Sequence, residues 1–217
     1  FQFVISAGLI LASLVISEQM KFLQSTDLGF QKDQQIVLPL SSRAASAAYT
    51  SLKAEISRDS RISSVGAARY YPGIMNASDS GFRREGQSVD ESIMTRRNRV
   101  DVDFLNTLGF QPVAGRLFSP QFPTDTVFKL VVNETAAKKY GFSSPQEAIG
   151  QKVMFSWNGQ DYRYDIIGVV KDFHFESMRE NIEGMCLILG SSPNMVAVKL
   201  HSDDLQKAVQ DISATWK

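Results

Sequence analysis

The sequence predicts an α+β fold of two lobes, one α/β and built from both ends of the chain, the other inserted and strand-rich, with an N-terminal membrane helix continuing into the domain. Three observations support this. The first sixteen residues, Phe1 to Ile16, hold no charge and almost nothing polar. A strand–helix–strand pattern over Ile36 to Ala68 is answered at the far end by a strand at Met195 to Leu200 and a helix from about Asp203. Between them, from about Tyr71 to Gly190, short apolar strands alternate with Gly, Pro and Asn, a texture of turns and hairpins.

At ~1.5 Å per residue the opening run covers ~24 Å, short of a ~30 Å hydrocarbon core, so it reads as a span cut on its N-terminal side. A signal peptide and a buried helix of a soluble protein are the competing readings, although neither a basic n-region nor an A-x-A-like site is visible. Ile16, Met20 and Leu23 continue one apolar stripe while Glu18, Lys21 and Gln24 face elsewhere, which predicts one stiff rod shared by membrane and domain. Asp27 to Phe30 reads as its stop, with Gly29 free to take the left-handed conformation.

Ile36 to Leu40 is a strand, and Ser41 or Ser42 caps a helix whose Ala45, Tyr49, Leu52 and Ile56 share one face. Ile62 to Ala68 returns as a strand after a connection long enough for a crossover. The C-terminal helix would place Leu205, Val209, Ile212 and Trp216 together. In the middle segment, Phe82 to Arg84 pairs with Ile93 to Val102 around Glu85-Gly86, and Phe104, Leu105 and Leu108 form a short helix ending at Gly109. Leu130 to Val132 leads into Asn133, an N-cap for a helix ending at Gly141, and Ser144-Pro145 starts another that Gly150 closes. Val153 to Trp157, Asn158-Gly159 and Tyr162 to Val170 form a hairpin with a two-residue turn.

The 23 basic and 23 acidic residues give zero net charge, which leaves no global field to draw nucleic acid or anionic lipid. The single Cys186, in the apolar run Met185 to Leu189, reads as a small buried hydrophobe. Lys21 and Lys32 are interspersed with Glu18, Asp27 and Asp33, unlike a cytoplasmic flank, so the domain leans toward the extracytoplasmic side.

No glycine-rich loop ends in Gly-Lys-Ser/Thr; Gly150-Gln151-Lys152 lacks both the earlier glycine and the hydroxyl residue, so ATP chemistry belongs on another chain. There is no G-x-S-x-G, H-E-x-x-H or paired CxxC. In Lys171 to Glu176, an extended strand would set Asp172, His174 and Glu176 on one face, able in principle to hold a divalent metal or run acid–base chemistry. The only other histidine is His201, and a polar solvent face backed by Phe173 and Phe175 explains the pattern better. Asn76 and Asn133 match the glycosylation pattern, but read as a loop residue and a helix cap. Arg83, Arg84, Arg96, Arg97 and Arg99 would gather on paired strands, a solvated face relieved by Glu85 and Asp90. No catalytic, cofactor-binding or metal-binding residue and no cofactor is therefore assigned.

Several strings occur in a telling order: Gln2-Phe3, Asp27-Leu28-Gly29-Phe30, Val102 to Gly109, Ala114 to Ser119, Val132 to Ala137, Ala148-Ile149-Gly150 and Ile167 to Ser177. Together they resemble the MacB-like periplasmic core domain of FtsX-type ABC transporter permeases. The resemblance covers nearly the whole chain and is most specific over Ile167 to Ser177. Phe1 to Ser6 is similar to an internal helix of long permeases with two such domains, of which this would be the second. Ile182-Glu183-Gly184-Met185 departs from the pattern, where relatives more often carry a proline.

The resemblance implies a transmembrane helix and its extension over 1–26, a porter-like α/β lobe over 27–70 with 191–217, and an inserted lobe over 71–190. It also implies an inner-membrane permease, with the bulk of this chain periplasmic, that dimerises or pairs with a second permease half and works with a separate ABC ATPase. Efflux or mechanotransmission would be its role, with a periplasmic adaptor and outer-membrane channel as further partners and no catalysis of its own. A membrane-anchored sensor ectodomain for a small ligand is the alternative, and a hydrolase using Asp172, His174 and Glu176 a third.

Overall fold

The structure, a computed structural model, describes residues 1–25, 28–31, 34–74, 77–126, 128–176, 181–190 and 192–201. Helix α1 (Gln2–Ser25) is followed in chain order by β1 (Gln35–Pro39), α2 (Arg43–Ala47), α3 (Tyr49–Ile56), β2 (Ile62–Ala68), β3 (Ser78–Arg84), β4 (Ile93–Val100), α4 (Phe104–Thr107), β5 (Pro112–Gly115), β6 (Lys129–Asn133), α5 (Glu134–Lys139), α6 (Pro145–Ala148), β7 (Lys152–Trp157), β8 (Gln160–Val170), β9 (Met185–Leu189) and β10 (Met195–Leu200). The helix expected from Asp203, Asn76 and the side chain of Leu23 lie outside the described residues.

The apolar helix is longer than the uncharged run alone. Gln2–Lys21 has a mean hydropathy of 1.8 and none of it is buried, so by length and composition it can cross a membrane.

Strands β1, β10 and β2 lie side by side, β10 antiparallel to both neighbours. β1 and β2 therefore run parallel with the C-terminal strand slotted between them, so the crossover through α2 and α3 spans one strand instead of joining neighbours. The helix expected over Ala45 to Ile56 is two helices meeting at Ala48, with Ser42 capping the first through Ala45 N at 3.0 Å. Strand alternation sends Val196, Val198 and Leu200 to the α3 side with Tyr49 and Ile56. Met195 and Ala197 turn to the opposite face, under Phe104 and Leu105 of α4. α4 approaches β2 so closely that a Cβ on Gly66 would sit 2.5 Å from the Phe104 Cα.

The remaining strands close on themselves in the order β4-β3-β7-β8-β6-β9, the ring being completed by parallel pairing of β9 with β4 from Arg96↔Met185 to Val100↔Leu189. A single pair, Ala68↔Val100, joins this barrel to the three-stranded part. β5, which the sequence gives no clear sign of, pairs with the C-terminal end of β8. Phe82, Leu130, Val132, Val153, Ile166 and Cys186 fill the interior, joined by Ala136 and Ala137 of α5 and by Tyr140 at its end. The hairpin turn has positive φ at both Asn158 (50°) and Gly159 (75°), as a two-residue type I′ turn requires.

Asn133 does more than cap. Its Oδ1 accepts from Ala136 N at 3.0 Å and Met185 N at 2.8 Å, and its Nδ2 donates to Glu183 O at 2.9 Å. The side chain thus pins β9 to the start of α5, fully buried, which closes it off as a glycosylation acceptor. Asn133→Ala is expected to lower unfolding stability by about 2–4 kcal/mol, since a cap is lost and two buried groups are left without partners. Guanidinium denaturation of the purified chain measures this; a loss below 1 kcal/mol would contradict the role.

Candidate functional site at the junction with the apolar helix

Three of the strings noted in the sequence meet in one place. Leu28 to Gln31, just beyond α1, lies against Asp172 to Phe175 and against the end of α4. Leu28 O accepts from His174 N at 3.0 Å, and Gln31 N donates to Leu108 O at 2.8 Å. Gly29 has φ +80°, and a Cβ there would lie 2.4 Å from the Asp172 carbonyl oxygen and 2.7 Å from the Phe173 Cβ. Its conformation is the expected left-handed one, but α1 has already ended at Ser25, and the close backbone approach is the stronger demand.

Aromatic packing backs these bonds. Phe30 stacks on Phe110 with centroids 6.1 Å apart, and Phe110 meets Phe173 edge-on at 4.7 Å. Phe173 and Phe175 are buried. Gln31 also accepts from Lys199 of β10. Gln35 accepts from Tyr71 Oη at 2.8 Å and donates to Thr107 O at 3.3 Å. Burial pushes the Tyr71 phenol up to about 12, so it stays a donor.

The far side of this strap is held as firmly. Asp172 Oδ1 accepts from Thr135 N at 2.9 Å and Oδ2 from Thr135 Oγ1 at 2.7 Å, while Asp172 N donates to Glu134 Oε2 at 3.0 Å. Glu176 faces Arg96, with Nη2 to Oε1 at 3.0 Å, and Arg96 also reaches Asp79 at 2.7 Å. Residues 171–176 are not a strand, so the expected alternation of Asp172, His174 and Glu176 on one face does not arise. The two carboxylates serve different partners. Among the described residues no group of three or more His, Cys, Asp and Glu is placed to hold a metal.

The expected arginine face is divided. Arg83 pairs with Asp161 at 2.8 Å, Arg84 lies over the Phe142 ring and Arg97 over the Phe155 ring. Glu85 pairs with Arg163 rather than relieving these cations. Arg99, with Arg43 and Arg69, lines a cleft of about 830 Å³ between α2 and the ends of β2 and β4. Asp101, on the cleft wall, accepts from Tyr49 Oη, Lys53 Nζ, Ala67 N and Phe104 N. Burial works against the Lys53 ammonium, but Asp101 and Asp103 outweigh it and its pKa is raised. Cys186, as expected, is buried; burial pushes its thiol up to about 11, beside Tyr140 Oη at 3.1 Å. No sequence signal marked Asp101 or the cleft, whose walls come from distant segments.

Comparison with known proteins agrees with this geometry. The family model for the MacB-like periplasmic core domain matches residues 4–214. The chain belongs to that family. Among solved structures, the periplasmic region of MacB from Actinobacillus actinomycetemcomitans is similar at 17% identity and a TM-score of 0.59, over 87% of this chain and 85% of that one. The extracellular domain of the noncanonic ABC-type transporter YknZ from Gram-positive bacteria gives 15% identity and 0.54, over 84% of this chain and 94% of that one. A domain of a putative permease protein from Porphyromonas gingivalis gives 15% identity and 0.50, over 76% of each. No curated protein matches the chain by sequence. As a MacB-like periplasmic core domain, the chain is the periplasmic or extracellular part of an ABC transporter permease, and it carries a helix able to cross the membrane.

Gly29→Ala is expected to destabilise the domain by about 2–4 kcal/mol, because the left-handed conformation and the overlap with the Asp172 carbonyl both count against a side chain. Thermal unfolding of the full chain reads this, and an unchanged midpoint would show that the approach of the two segments is looser than described.

Proposed function

We propose that this domain receives motion driven by a separate ABC ATPase through α1 and the clamp at Leu28 to Gln31, and uses it for efflux or mechanotransmission. The observation that carries this reading is the clamp: the segment after the apolar helix is bonded on both sides into the core and includes a glycine that no other residue replaces without displacement. Family membership supports an ABC permease that works with an ATPase. The lack of a phosphate-cradling loop in this sequence supports placing ATP hydrolysis on another subunit.

On this reading the chain divides into the helix and its extension, 1–26, a porter-like lobe, 27–70 with 191–217, and an inserted lobe, 71–190. The three-stranded part made from β1, β2 and β10, and the closed barrel, support such a division. The permease acts as a homodimer or with a second permease half, and a periplasmic adaptor with an outer-membrane channel completes the path. The roughly 830 Å³ cleft lined by Arg43, Arg69 and Arg99 favours the second reading, a sensor that binds a small ligand and signals through the helix.

Inserting Gly-Ser-Gly-Ser after Ser25 in the full-length permease, reconstituted with its ATPase, separates the helix from the clamp without touching either. The domain is expected to melt unchanged and the ATPase to keep turning over, while efflux falls at least tenfold. Efflux at the unaltered rate would contradict transmission through this junction.

A further inference from the structure

The inner faces of β7 and β8 overhang the barrel. β3 pairs with β7 only at Val153 to Phe155, and β6 begins pairing with β8 only at Asp165, so the hairpin beyond them presents its inner face to the mouth. Phe155 and Tyr162 are opposite one another, as are Val153 and Tyr164, so these side chains share a face with the interior residue Phe82. The result is a run of rings around the mouth. Trp157 stacks on Phe155 at 6.4 Å, Phe155 meets Tyr162 at 6.3 Å, and Phe128 meets Tyr162 at 6.1 Å and Tyr164 at 5.6 Å. Trp157 is 59% exposed and Phe128 45%.

Arg97 lies on the same face. Ser78 is its partner across β3–β4 in the register that sets Phe82 opposite Ile93. Its guanidinium is half-buried, 4.6 Å from the Phe155 ring centroid, and among the described residues it makes no ion pair. Arg99, Tyr164, Arg69 and the Cys186 thiol act on its charge, and no carboxylate is among them. Burial, and then Arg99, hold its pKa below the usual arginine value. A partly desolvated cation without an anion is a costly arrangement, since burial of a charge is ordinarily balanced by pairing.

A recess of about 260 Å³ is lined in part by Phe128, Tyr164 and Ile188, and its Tyr164 is one of the groups that act on the Arg97 charge. Its own charged groups are already matched, Asp125 with Arg116 at 2.5 Å and Lys129 with Asp165. That space fits one or two fused rings and is too small for a folded segment of another protein. Rings offer stacking and Arg97 offers charge, so the mouth complements a molecule with a flat apolar body and one acidic group.

We propose that the mouth of the barrel is a binding site for small aromatic anions, with the rings of Phe155, Tyr162, Tyr164 and Phe128 holding the flat body and Arg97 the carboxylate or sulfonate. This site is separate from the junction, and Arg69 and Arg99 of the arginine-lined cleft flank it on the Arg97 side.

The sequence has two tryptophans, so Trp216→Phe leaves Trp157, at the rim, as the only one. The full chain with that substitution, in dodecyl maltoside, is titrated with 1-anilinonaphthalene-8-sulfonate and read by energy transfer from Trp157. N-phenyl-1-naphthylamine, the same rings without the sulfonate, is the paired probe. Saturable transfer to the sulfonate is expected, with at least tenfold weaker binding of the neutral probe. Arg97→Gln is expected to weaken the sulfonate at least tenfold, and Phe128→Ala to weaken both probes. Equal binding of the two probes, sulfonate binding unchanged by Arg97→Gln, or no saturable transfer would each overturn the site. The comparison of the two probes on the unaltered mouth decides the matter even where Arg97→Gln does not fold.

Discussion

The strap from Asp172 to Glu176 is the constraint on which the rest of the molecule depends. Its backbone is bonded on one side to Leu28, whose segment leads back to α1, and on the other to the Glu134 carboxylate, while the Asp172 carboxylate accepts from Thr135 at the start of α5. Phe173 and Phe175 bury themselves in the core beneath it, and Glu176 ties its end to Arg96 on β4. Release of the strap would at once free the segment after the apolar helix, uncover the core beneath α4 and loosen the start of α5. A load arriving through α1 would therefore meet packed structure at Leu28.

Two further links decide how far such a load could travel. The barrel and the three-stranded part share one strand pair, Ala68↔Val100, but Asp101 reinforces it from the next position along. Its carboxylate accepts from Tyr49 and Lys53 on α3, from Ala67 on β2 and from Phe104 at the start of α4. Three elements are thus gathered on one acid at the seam. In the barrel, Asn133 plays the corresponding part between β9 and α5. Both are short polar side chains whose bonds are all local to the seam they close, which makes each seam stiff and sensitive to substitution.

Where structure is set by neighbours in sequence, the chain was readable. Asn158-Gly159 marked its turn because two successive positive φ angles suit few other pairs, and Ser42, Asn133 and Ser144 marked helix starts because a side-chain oxygen must reach a backbone amide three residues on. The α+β class and the joining of both chain ends in one sheet followed from the same local patterns. Barrel closure did not, because the pairing of β4 with β9 joins residues far apart in sequence and a five-residue apolar run such as Met185 to Leu189 has no signature of its partner. For the same reason Gly29 was legible as a left-handed residue but not as a contact of Asp172. The arginines were legible as a cluster but not in their division, since Asp161 and Asp79 come from other strands. The three strings that build the clamp were each visible, and only the fold shows that they touch.

Family membership and the clamp together describe an extracytoplasmic domain whose Leu28 to Gln31 segment, bonded into the core, follows a helix able to cross the membrane. Stiffness of that joint is the central claim, and hydrogen exchange of the full chain tests it at the two amides that make it, His174 and Gln31. If the joint is rigid, both amides exchange as slowly as those of β6 and β8, opening only with the barrel. Exchange at the rate of the exposed Asn158-Gly159 turn would contradict it, because the segment after the helix would then move independently of the domain it is held to drive.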